Sequence, residues 1–237
     1  MKFFTMSFDD GTVQDRRFVK ILNDHGLKST FNLNSGLFGT KHDITHEGIL
    51  VNHDEIDASE VKELYKGHEI AAHTVTHPNL LNCSEAEVIH QVKDDADALE
   101  RLCGYKIVGM AYPGGPFFND ETIRIITSNT DIFYARAVGS HFSLKLPERL
   151  MAWYPSCQLH PKEYDAIERL TDEFLSYSGE EDKLFYLWGH SFELDKFGNW
   201  DYFERFCDRI AGHDDVAYVP NRVVAEHIKN TYQEKIK

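Results

Sequence analysis

The apolar stretch KFFTMSF runs straight into two adjacent aspartates, Asp9 and Asp10, followed by Gly11. Neighbouring carboxylates repel each other unless a cation shares the site or one of them keeps a proton. An Asp-Gly pair is by itself an ordinary turn, so this pair gains meaning only from what else the fold brings to it. Three further stretches carry reactive side chains: HTVTH with His73 and His77, YPGG from Tyr112 to Gly115, and WGHSFE with Trp188 and His190. Among 13 histidines a His-x-x-x-His spacing arises by chance, and His42 and His46 repeat it, so spacing alone does not mark a metal site. His42 and His46 have no strand before them and are expected to stay outside such a site. His73 and His77 follow a strand, as the aspartates do. One carboxylate with two imidazoles leaves open positions on a divalent ion, as acidifying a water requires. Such an ion would neutralise one aspartate and leave the other free to act as a base.

These stretches need a scaffold that ends its strands at one place. Strands are expected at Lys2 to Phe8, Ser29 to Leu33 and His68 to His73, then within KIVGMAYP, FYARAV, RLMAWYP and KLFYLWGH. Helical stripes lie between them. Phe18, Ile21 and Leu22 form one that stops at His25-Gly26, where glycine suits a left-handed cap. Asp57 with Glu60, and Ser84 with Glu87, have the spacing of capping boxes. Asn119 caps a further helix, Ile167, Leu170 and Phe174 line another, and Trp200 to Ile210 and Arg222 to Asn230 close the chain. The segment from Gly36 to Ile56 reads as a loop over one face, and the charge run DDADALER as a solvated helix face. About seven strands alternating with helices, without repeat or linker, imply one α/β domain over residues 1–237, either a barrel or a doubly wound sheet. In both, loops at the C-terminal strand ends converge on one mouth.

Composition narrows the partners. A net charge of -14 leaves no basic stripe for a nucleic acid or an anionic membrane, yet is compatible with neutral sugars or amides. The four cysteines, Cys83, Cys103, Cys157 and Cys207, contain no Cys-x-x-Cys and read as reduced, packed thiols. No signal-like segment precedes the first strand and no apolar run is long enough to span a bilayer, so a cytoplasmic protein is expected. Oligomeric state has no signature here.

Taken in order, SFDDG, HTVTH, YPGG and WGHSFE resemble the motif series of the polysaccharide deacetylase (NodB-homology) family. The resemblance implies a distorted TIM-like (β/α) barrel of about seven parallel strands and metal-dependent hydrolysis of an N-acetyl or related acyl bond. Carried over by position, it implies that Asp10, His73 and His77 hold the metal, with zinc expected and cobalt, nickel or manganese accepted by such a set. It implies Asp9 as general base, His190 as general acid, and a backbone N–H near Gly114 for the oxyanion. Tyr112, Trp153 and Trp188 fall on the oxyanion and substrate side, although as residues both tryptophans could equally be core and Tyr112 reads as packing. The substrate implied is a small N-acetylated sugar or short oligosaccharide. The alternatives are an amidohydrolase acting on a non-sugar C–N bond and a catalytically silent carbohydrate-binding module.

Two positions depart from the family pattern. Ala111 stands where many members have an arginine that orients the catalytic aspartate, and Ala152 where an aspartate often precedes the tryptophan and orients the catalytic histidine. The basic residue nearest the end of the adjacent strand is Arg136, in FYARAV. Its planar fork can hold a carboxylate at two points and stays charged at any working pH. Arg136 is therefore expected to reach across and hold Asp9.

Overall fold

All nine residues of β1 (Lys2–Asp10) are buried, as befits a strand with neighbours on both sides and helices across its face. The computed structural model describes residues 1–232. Nine further strands follow: β2 (Thr30–Leu33), β3 (Asp43–His46), β4 (Ile49–Asn52), β5 (Glu69–Ala72), β6 (Gly109–Ala111), β7 (Tyr134–Arg136), β8 (Cys157–Gln158), β9 (Lys183–Gly189) and β10 (Val216–Tyr218). The main sheet is parallel and runs β7-β6-β5-β2-β1-β9-β8, with β10 beside the first residues of β1. Its two edges meet: Trp153 donates its N–H to Ala135 and accepts from Ala137, and three residues on Ser156 donates to the carbonyl of Tyr186. The sheet is thus curled into a distorted (β/α) barrel.

Period-two alternation sorts the side chains of β1. Phe4, Met6 and Phe8 join the main apolar core, where Phe8 lies 4.1 Å from Phe18 and Phe18 stacks on Phe203 at 4.5 Å. Thr5, Ser7 and Asp9 alternate with them and meet polar partners instead. The Thr5 hydroxyl donates to Asn221 Oδ1, and Asn221 in turn donates to Tyr186. Asn32 donates to both Ser7 and Asp9. A polar column therefore rises beneath the mouth, and Asp9 is its top.

The helices fall close to expectation, at Asp15–Asp24, Glu85–Ile89 continuing through His90–Asp94 and Asp95–Cys103, Asp120–Asn129, Tyr164–Ser176, Trp200–Ile210 and Asn221–Thr231. Ser84 and Glu87 form the expected capping box and Asn119 caps its helix. Three expectations need correction. RLMAWYP is not a regular strand: Leu150–Ala152 make a 3-10 turn, Trp153 forms one bridge to β7, and the strand proper lies two residues beyond Pro155. Proline has no N–H to give to a ladder, which divides the segment there. The stretch read as a loop contains the antiparallel hairpin β3–β4, and Val216–Tyr218 adds a short strand. Finally, Asp95 in the supposedly solvated DDADALER face is fully buried.

Candidate metal and catalytic centre

Adjacent strand residues point to opposite faces, so Asp9 and Asp10 should not share a site. Asp10 breaks the alternation with φ +76°, a left-handed conformation uncommon outside glycine, and both carboxylates reach the mouth. Asp10 lies 3.6 Å from His73 Nε2 and 3.8 Å from His77 Nε2, both through Oδ1. Its other oxygen is 3.2 Å from His53 Nε2, and His53 Nδ1 is 3.3 Å from Glu55. Burial alone would raise the Asp10 pKa; the bond to His53 and the charges of His190, His73 and His77 overcome it and hold the carboxyl well below its usual range.

His73 is 1% exposed and its Nδ1 is 2.9 Å from the Ala111 carbonyl. That contact makes Nδ1 the protonated nitrogen and leaves the Nε2 lone pair facing Asp10 and His77, buried and with no hydrogen-bond partner. Burial is also the main reason its pKa falls to about 4, so the ring is neutral and can ligate. The ligand atoms of Asp10, His73 and His77 all lie within 4.8 Å of one another. Donor atoms about 2.1 Å from a tetrahedral zinc stand about 3.4 Å apart, so the set suits such an ion with little movement.

The loop carrying the histidines is held from behind. Asp95 accepts from the backbone N–H of Ser35 at 2.8 Å and of His73 at 2.9 Å, and Asn34 donates to the His73 and Thr74 carbonyls. The π-helical segment His90–Asp94 presents the Gln91 carbonyl and side chain to Val75 and Thr76. Thr74 and His77 take φ values of +72° and +57°. With Asp10, three strained residues lie within one small site, where strain tends to be kept for function.

On the opposite side, Arg136 is fully buried and its Nη2 donates to Asp9 Oδ2. Asn32 donates to Oδ1 of the same carboxylate at 2.8 Å, so Asp9 is gripped at both oxygens. Arg136 also lies against the Trp188 ring, 4.5 Å from its centre. It is the register partner of Ala111 on the neighbouring strand. His190 Nε2 stands 3.9 Å from both aspartates, and its Nδ1 3.4 Å from Glu193. Burial opposes the charged ring, but Glu193 and then the two aspartates raise its pKa to about 9.

Asp9, Asp10, His77, Gly114, Trp188 and His190 border one cavity of about 670 Å3. Gly114 is exposed at its rim with φ +72°. Tyr112 and Trp153 do not reach it. The Tyr112 hydroxyl donates to Met151 and its ring stacks on Phe118, while Trp153 packs fully buried between Tyr134 and Tyr186. Their placement on the substrate side is corrected to the core, because both lie beneath the mouth rather than at it. His42 and His46 are outside the Asp10–His73–His77 cluster, although both line the cavity wall.

Three supporting residues escaped the sequence reading. Glu193 is one helical turn after His190, a spacing visible in WGHSFE once the segment is known to be the helix Phe192–Phe197. His53 is contributed by a hairpin too weakly patterned to notice, and Asp95 was masked by the charges around it.

The fold is a distorted (β/α) barrel with a carboxylate-histidine cluster at its mouth, and comparison with known proteins gives it a family. Over the whole chain the fold matches a candidate polysaccharide deacetylase from Mycobacterium smegmatis, with TM-score 0.68, 15% identity and 92% of that chain covered. It also matches peptidoglycan deacetylase PdaC from Bacillus subtilis, with TM-score 0.54, 16% identity, 99% of this chain and 94% of that one covered. A chitin deacetylase from Pestalotiopsis sp is 26% identical over 125 residues, 52% of this chain and 37% of that protein. The chain thus spans little more than a third of that curated relative. The polysaccharide deacetylase family model matches residues 1–131, and the chain belongs to the polysaccharide deacetylase family. Among the described residues, no helix is long and apolar enough to cross a membrane.

Proposed function

We propose that this protein is a metal-dependent hydrolase that removes an acetyl or related acyl group from the nitrogen of a small N-acetylated sugar. The observation that carries the reading is the unpartnered Nε2 of His73, aimed at Asp10 and His77 with Asp9 and His190 facing the same cavity. Asp10, His73 and His77 would hold the ion, with zinc first and cobalt, nickel or manganese compatible with the same donors. A bound divalent ion would supply Lewis-acid polarisation and a lower pKa for water.

The chain's own groups would do the rest. Asp9, fixed by Arg136 and Asn32, takes the proton from the attacking water. The backbone N–H at Gly114 stabilises the oxygen of the tetrahedral intermediate as negative charge develops there. His190, kept protonated by Glu193 and the aspartates, gives its proton to the leaving nitrogen as the C–N bond breaks. Arg136 and Glu193 are positioning residues in this scheme; Trp188 forms part of the substrate wall and backs Arg136. The seven-residue pairing of β9 with β1 supports reading 1–237 as one domain, because it joins the His190 end of the chain to Asp9.

The test is acetate release from a panel of N-acetylated sugars and short oligosaccharides, before and after chelation and after zinc is restored. Turnover that chelator abolishes and zinc restores is the expected result. Sugar binding without acetate would replace this reading with a binding module, and turnover of non-sugar amides alone would replace it with an amidohydrolase.

A further inference from the structure

The cavity has a wall that the metal cluster does not explain. Leu37, His42, Ile44, His46 and Glu47 line one side of it, and Gln158, His160, Lys162 and Glu163 line another. The two sides are joined through a single carboxylate. Glu47 Oε1 is 2.5 Å from Lys162 Nζ, and its Oε2 is 3.0 Å from His160 Nε2 and 2.9 Å from Lys196 Nζ. The Lys196 side chain is fully buried and also lies 2.7 Å from His46 Nδ1. A buried ammonium needs such partners to keep its charge.

The backbone underlines the role of Glu47. His46 pairs with Ile49, so Glu47-Gly48 is a two-residue hairpin turn with φ +48° and +79°. Both central residues of such a turn sit at positive φ, where asparagine, aspartate and glycine are preferred. Glutamate has no local advantage there; what it adds is reach to the Lys162 and Lys196 ammonium groups and to His160 Nε2. The base of the hairpin is fixed as firmly, since Val13 donates to Asp54, Ile56 to Gly11, and Gln14 to Asn52. Anchored at base and tip, β3–β4 is a wall rather than a swinging flap.

We propose that the hairpin β3–β4, pinned by Glu47, blocks one end of the cavity so that substrate enters end-on: a free N-acyl sugar or the terminal unit of a chain, never an interior unit. This rests on the deacetylase reading above. The side bordered by exposed Gly114 and by half-buried His77 and Val138 remains as the approach. A chain threading through to present an interior unit would need its two ends to leave on opposite sides, and the Glu47–Lys162–His160 junction stands across one exit. The volume of about 670 Å3 lies within the range of pockets that enclose small ligands.

The experiment maps acetate release on N-acetylglucosamine and on its pentamer, with the position of each free amine read by mass spectrometry. For the native zinc-loaded protein the expected products are glucosamine and pentamer deacetylated only at a terminal unit. Glu47→Ala should lose that selectivity and release interior acetyl groups. Lys162→Ala, at an exposed residue, removes one of the three partners of Glu47 and should weaken the same selectivity if Glu47→Ala folds poorly. Interior deacetylation by the native protein overturns the end-on proposal and leaves the deacetylase reading standing. No acetate from monomer, pentamer or the wider sugar panel overturns the deacetylase reading, and this proposal falls with it.

Discussion

At the ends of β1 and β5, the side proposed to hold the metal brings together Asp10, His73 and His77, braced by Asp95, Asn34 and Gln91. The side built by β7 and β9 keeps Asp9 and His190 but holds them with different residues. Arg136 stands opposite Ala111, one strand over at the same level, and grips Asp9. Glu193 reaches His190 from the next helical turn, while Ala152 lies in a 3-10 turn with no charge to offer. The contrast has a physical basis. A ligand atom is tied to its neighbours within a few tenths of an ångström, so its strand position cannot change. A guanidinium or carboxylate that only needs to touch another side chain can come from any strand or helix whose reach suits.

The largest expected effect separates the two sides. His73→Ala should lose the ion and all turnover together, since it removes a ligand and opens a buried void. Asp9→Asn should keep the ion, measured by metal analysis, and lose about 10²–10⁴-fold in kcat, the usual contribution of a general acid–base group. Equal metal loss in both variants would place Asp9 among the ligands and erase the distinction drawn above.

Next in size is Arg136→Ala. It strips a fully buried carboxylate of its cation, and breaking such a pair typically costs about 3–5 kcal/mol. Activity should fall about 10–100-fold, in keeping with outer-shell supports, with metal content unchanged in the folded fraction. Arg136→Lys should recover stability more than kcat, because an ammonium restores the charge without the fork. Native kcat in Arg136→Ala would show that Asn32 alone suffices to hold Asp9.

How far each side could be read in advance follows the same division. SFDDG and HTVTH announce the ligand side because side chains at strand ends must come from those strands, and even Arg136 could be anticipated from strand adjacency. Glu193 could not, because its meaning depends on a helix of six residues beginning directly after His190. Asp95 looked solvated since its neighbours Asp94 and Asp97 are, and a helical face turns 100° per residue from exposed to buried. Strand-helix alternation left a barrel and a doubly wound sheet open, and the motif resemblance singled out the barrel. Its closing segment was not legible, for Trp153 to Gln158 changes partner midway from β7 to β9. The hairpin β3–β4 pairs only with itself, buries Val51 almost alone, and turns on Glu-Gly, so neither pattern nor turn residue gave it away.

The smallest effect is a shift in a pH profile, and it tests whether Glu193 has taken over the tuning of His190. His190 must be protonated to act as an acid, so activity should persist below its pKa, which the neighbouring carboxylates raise above the ordinary imidazole value, and decline as pH rises through it. The charges facing the ring are Glu193 at 3.4 Å and Asp9 and Asp10 at 3.9 Å each, with His46 further off at 6.5 Å between ring centres. Glu193→Gln keeps the shape and removes the negative charge that most favours the imidazolium. The alkaline limb of kcat should therefore move to lower pH, while the acid limb and the metal content stay in place. A cation at Asp10 lowers the limb of native protein and variant alike, so the difference between them is the reading that counts. Glu193→Asp, one methylene shorter, should recover part of the shift. If the alkaline limb of Glu193→Gln coincides with the native one, Glu193 is a packing residue, and the acid side of the site is tuned by the aspartates alone.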